Sequence, residues 1–135
     1  MDQGLTATIR DAMPLAAHLG FEGVEGGAEA VVVRGVWAPE HCTAAGVLHG
    51  GVLMSLADAA GGVCAFLNLP AGAAGTATIE SKTNFLGAVR EGLVVARARP
   101  LHIGKTTIVV ETDVFDAADR RVARTIQTQA VLAAD

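Results

Sequence analysis

The stretch "GVLHGGVLMSLADAAGG", residues 46–62, decides how this chain is read. It opens on His49-Gly50-Gly51 and then stays apolar or small, broken by a single carboxylate, Asp58. A lone carboxylate is costly to bury, so its place in so greasy a segment needs a reason. A helix apolar on all sides is either the buried helix of a folded domain or a membrane span. Gly50 to Leu69 is about long enough to cross a bilayer. Asp58 stands near its middle, glycines interrupt it, and no Lys or Arg anchors flank it. The segment therefore reads as a buried helix.

The bulk numbers agree with that reading. A length of 135 residues suits one domain, 1–135, with one core. Hydrophobic residues make up 51% and charged residues 18%, a globular composition. Aromatics are only 4%, so the core must be built from Val, Leu, Ile and Ala. The net charge of −4 gives no long-range pull toward nucleic acid or an anionic membrane. Cys42 and Cys64 are too few for a disulfide scaffold and lack metal-ligand spacing. They read as reduced thiols of a cytoplasmic protein. The opening "MDQGLTATIRDAM" lacks the basic-then-apolar pattern of a signal peptide.

Working outward, residues 5–19 show helical spacing at Leu5, Ile9, Met13 and Leu15, with Thr6 or Thr8 as caps and a break or kink at Pro14. Strands are expected at 21–25 and 28–37, the second closed by Pro39. A loop covers 40–48, the central helix runs about 49–68, and "LPAGAAG" breaks the chain at 69–75. Four further strands follow, at 76–87, 93–104, 105–116 and 121–132. In the third, Ile108, Val110 and Val114 alternate with Glu111 and Asp113; in the last, Val122, Ile126, Ala130 and Leu132 mark the apolar phase. Short connections predict that neighbouring strands pair antiparallel. Such a sheet has one face to bury, and only the 49–68 helix is hydrophobic enough to fill it. The expected class is α+β, an antiparallel sheet wrapped around a long central helix.

With these residues in view, the chain resembles the hotdog-fold thioesterases, most closely the PaaI-like and 4-hydroxybenzoyl-CoA thioesterase group. The resemblance rests on an HGG opening the central helix with an acid nine positions after the histidine, here His49 and Asp58. It continues in "SKTNFLGAVREG" (81–92) and in "HIGKTTIVVETDVFD" (102–116), and spans roughly 44–132. It implies a homodimer, often paired again into a homotetramer, with two sites at the dimer interface. It also implies hydrolysis of acyl-CoA thioesters without a metal or other cofactor.

The site residues follow from that resemblance and from physical chemistry together. Gly50 begins the helix, where unpaired N–H groups carry partial positive charge and can stabilise an oxyanion. Asp58 lies eight residues further on, ~12 Å along the axis. The acid can reach the carbonyl only if the two groups come from different subunits, as the family arranges. Its role is nucleophile or general base. His49 is read as structural or positioning, with general-base catalysis as the alternative. Thr43 stands where the family usually has Asn or Gln; its hydroxyl can still hydrogen-bond, at shorter reach. Gly51, Met54, Gly62 and Phe85 are candidates for the acyl slot. Arg90, Gly104, Lys105, Thr106 and Thr107 are candidates for CoA, the cations for its phosphates. Arg97 and Arg99 read as a solvated or interface face.

Two other functions compete. A non-catalytic acyl-CoA binding module on the same fold has no need of Asp58, and the chain has no spare length for a helix-turn-helix. A dehydratase would place its His and carboxylate in a different local pattern.

Overall fold

Two helices open the chain, α1 (Gln3–Ala12) and α2 (Pro14–His18), and Pro14 is why they are two. Met13 before it is extended, φ −128° and ψ 90°, because the proline ring disfavours helical backbone in the preceding residue. The cap of α1 is not Thr6 or Thr8. Asp2 Oδ1 accepts from the Leu5 N–H at 2.9 Å, while the Thr6 hydroxyl turns inward and accepts from the Gly23 N–H.

The computed structural model describes residues 1–135, and after the helices it runs β1 (Glu22–Gly26), β2 (Val31–Val36), two short 3-10 turns and α3 (Gly50–Phe66). Then come β3 (Ala73–Phe85), β4 (Leu93–Ile103), β5 (Thr107–Phe115) and β6 (Arg121–Ala133). The six strands form one antiparallel sheet in the order β1-β2-β4-β5-β6-β3. Here the expectation that strands joined by short connections pair fails once. β3 does not lie against β4; it pairs along its length with β6, from Ala73 opposite Ala133 to Phe85 opposite Ala123. Polar side chains add to this pairing: the Thr83 and Thr125 hydroxyls bond at 2.7 Å, and Gln129 Nε2 donates to the Thr78 hydroxyl at 2.7 Å.

α3 packs across one face of the sheet. Its Leu53, Leu56, Ala57, Ala60 and Cys64 are buried against Val33, Ala96, Ala98, Ile108 and Val110 in one hydrophobic cluster. The phase of β5 is the expected one, with Ile108, Val110 and Val114 fully buried. That of β6 is not. Thr125, Gln127 and Gln129 are the buried side chains, whereas Ile126 and Leu132 are 41% and 45% exposed. The polar phase faces inward because each of these three side chains has a partner there.

The two sheet edges differ. β1 is five residues long and packs against α1. β3 is thirteen residues long, with Ile79 64% exposed. No helix is long and apolar enough to cross a membrane. Leu56 is wholly buried at the helix–sheet contact. Leu56→Ala is expected to lower stability by about 3 kcal/mol, read as a lower urea midpoint at fixed protein concentration.

Candidate active site

The segment before α3 is pinned into a compact loop. The Thr43 N–H donates to the Val47 carbonyl at 2.8 Å and the Trp37 indole N–H to the Gly46 carbonyl at 3.0 Å. Ala45 and Gly46 both take left-handed backbone, φ 62° and 70°. Thr43 is exposed, and its hydroxyl makes no hydrogen bond within the chain. The loop delivers His49 to the N-cap of α3, where the imidazole Nδ1 accepts from the Gly51 N–H at 2.9 Å. Such a cap satisfies one of the donors that every helix start leaves unpaired. The Val52 and Leu53 N–H groups turn back to the His49 carbonyl. The Gly50 N–H is therefore the first-turn donor left without a partner in the chain.

Gly50 also sits under an aromatic ring. A Cβ placed there would lie 3.0 Å from Phe85 Cζ, so glycine lets that ring close over the helix tip. Phe85 is half exposed rather than part of the core.

Asp58 lies on the exposed side of α3. Its question is thus answered within one chain: the greasy segment does not bury it. Oδ1 accepts from Gln127 Nε2 at 3.0 Å, and Oδ2 has no partner in the chain. A cavity of about 130 Å³ opens beside the carboxylate, walled by Met13, Leu15 and Ala16 near the α1–α2 break and by Phe21, Ser55 and Ala59. Neither Met54 nor Gly62 lines it, and Gly62 faces open space.

The expected CoA residues separate into two groups. Arg90 lies in the β3–β4 connection, near the helix tip, where the Leu48 N–H donates to the Val89 carbonyl at 2.8 Å. Its guanidinium is exposed on the rim of a depression of about 400 Å³, beside Asp116 and Arg120. Gly104, Lys105, Thr106 and Thr107 form the β4–β5 hairpin at the other end of the sheet. Eleven residues of β4 separate the two ends, roughly 35 Å. One chain does not bring them together. Arg99 is committed to Glu111 through a 2.7 Å ion pair, while Arg97 is exposed.

The cysteines have separate fates. Burial pushes the Cys64 thiol up to about 11, which leaves no thiolate for nucleophilic chemistry. Cys42 Sγ donates to the Ala38 carbonyl at 3.3 Å. No three His, Cys, Asp or Glu side chains converge as metal ligands would. Sequence reasoning missed Gln127, Ser55 and the cavity wall from Met13 to Phe21. Met13 and Phe21 register in the sequence only as apolar residues, and their meeting with Asp58 is a tertiary event.

A six-stranded antiparallel sheet packed on one long helix is the fold of the hotdog thioesterases. The sequence profile described as "Thioesterase superfamily" matches residues 45–123, and the chain belongs to that family, as a thioester hydrolase. Among its relatives is the Bacillus subtilis protein named "Putative esterase ComA2", 36% identical over 120 residues that cover 87% of this chain and 94% of that one. Another is the Escherichia coli 1,4-dihydroxy-2-naphthoyl-CoA hydrolase, 32% identical over 87 residues, 64% of this chain and 63% of that one. The crystal structure of thioesterase HI1161 from Haemophilus influenzae superposes with a TM-score of 0.83 at 28% identity, covering 88% of this chain and 82% of that one.

The capping role of His49 is directly testable. His49→Ala should cost about 1 kcal/mol by thermal melting, and His49→Asn, whose side chain also caps, should recover most of it.

Proposed function

We propose that this chain is an acyl-CoA thioesterase for aromatic or short- to medium-chain acyl groups, with each site shared between two protomers. The observation that carries the reading is the pairing of an unspent Gly50 N–H with an exposed Asp58 on one continuous helix. The two lie about 12 Å apart along the axis, too far to act on the same carbonyl from one chain. The long exposed β3 edge supports association, since an unpaired edge is a template for a second strand. Joining two such edges makes a dimer, and dimers pair again into a tetramer.

In this site the Gly50 amide donates to the thioester oxygen and stabilises the negative charge that develops on attack. The partner's Asp58 supplies the other half of the chemistry. As nucleophile, it forms an acyl-aspartyl anhydride while CoA leaves as the thiolate, and water then releases the acid. As general base, it takes a proton from the attacking water directly. The cavity beside Asp58 is mostly apolar and takes the acyl group. Its size suits one ring or a short chain, and the naphthoyl-CoA relative points to the aromatic class. Thr43 orients the water or carbonyl through its free hydroxyl, and Arg90 meets the CoA phosphates. Lys105, Thr106 and Thr107 serve the CoA arm bound across the dimer. The chain works as one cytoplasmic domain.

Asp58→Asn should leave the melting temperature near that of the parent and lower kcat by ~10² or more, read as thiol release from acyl-CoA esters. Gly50→Pro is the complementary variant. Proline suits the first helical position but has no N–H, and Gly50→Ala controls for crowding against Phe85. Both Asp58→Asn and Gly50→Pro should be inactive alone. Random mixing of the two should return about a quarter of parental activity, since half the dimers then hold one complete site. No recovery on mixing, in dimers shown to exchange subunits, would sink the shared site.

A further inference from the structure

The geometry points to Gln127 as a positioning residue that fixes the Asp58 carboxylate from beneath α3. Three observations converge on it. Gln127 is 1% exposed, on the inner face of β6, and its Nε2 donates to Asp58 Oδ1 at 3.0 Å. Its other amide atom, Oε1, is buried with no hydrogen-bond partner. Its place exists only because residue 61 is glycine: a Cβ there would lie 1.7 Å from Gln127 Oε1 and 2.6 Å from Cδ.

The last two of these features work against stability. A buried acceptor left unpaired is destabilising. A glycine inside a helix is destabilising against alanine. Nor does Asp58 need the amide for its own solvation, because it is exposed and water can reach it. What the arrangement yields is direction. The terminal torsion of an aspartate is soft and roughly two-fold. A donor on Oδ1, held by a strand of the sheet, stops that rotation and leaves Oδ2 aimed in one direction. Oδ2 is the oxygen free to attack a carbonyl or accept a proton. The amide also faces Asp58 with the only group a carboxylate can bond, an N–H, and that is why Oε1 is left toward the helix. Gln127 touches Asp58 rather than substrate, so it acts through the acid.

The inference rests on Asp58 being the working acid, which Asp58→Asn tests separately. Gln127→Met keeps the length and volume but removes both the donor and the orphaned oxygen. It should melt at or above the parental temperature, keep KM within about twofold and lose roughly tenfold or more in kcat, since small misplacements of a reacting group are costly. Gln127→Asn, one methylene shorter, should lose kcat in the same way. A residue serving only the fold would lower the melting temperature and leave kcat alone. Parental kcat in Gln127→Met, or its failure to fold, would overturn the assignment. If Asp58→Asn is inactive while Gln127→Met is fully active, only the positioning role falls. If Asp58→Asn keeps its activity, the reading of the site itself falls.

Discussion

Everything in this molecule depends on the burial of α3 against the inner face of its sheet. The contact is made by Leu53, Leu56, Ala57, Ala60 and Cys64, with valines, alanines and Ile108 opposite. Small side chains let the helix lie close, and a close helix has little freedom to rotate or slide. That one constraint sets the direction of the helix, and with it where the free amide and the acid emerge. The tip opens beside Phe85 and the 86–92 connection, and the acid emerges two turns later beside the α1–α2 break. Both groups are thus held by the helix at the centre of the core rather than by loops.

The sheet is not uniformly apolar toward that helix. From β2 through β5 the inner face is mostly Val, Ala and Ile, but β6 and β3 present Thr125, Gln127, Gln129, Thr78 and Thr83. The hydrogen bonds among these side chains tie β3 to β6 along the inner face. The same side chains line the inner face beside the long β3 edge with polar groups. A fold that concentrates polar groups there has arranged for something other than maximal cohesion.

Much of this was legible in the chain, and the exceptions are instructive. The His49-Gly50-Gly51 opening placed the helix start, and the Asp58 spacing placed the carboxylate along its axis, because helical rise converts sequence distance directly into axial distance. The alternation of Ile108, Val110 and Val114 placed β5 correctly. The same rule misread β6. There, Ile126 and Leu132 look like core beside Gln127 and Gln129, and only a partner distant in sequence makes the amides the buried set. Pairing of β3 with β6 was hidden for the same reason. The signal that could have exposed Gln127 is Gly61: a glycine in mid-helix asks what approaches it closely.

The His49 cap carries one more consequence. Nδ1 accepts the Gly51 N–H, so its lone pair is engaged and the ring proton of the neutral imidazole sits on Nε2. A doubly protonated ring cannot hold the helix start in this way. The nitrogen chemical shifts of this one imidazole therefore distinguish a latched from an unlatched helix start, offering a spectroscopic gauge of the site that needs no substrate.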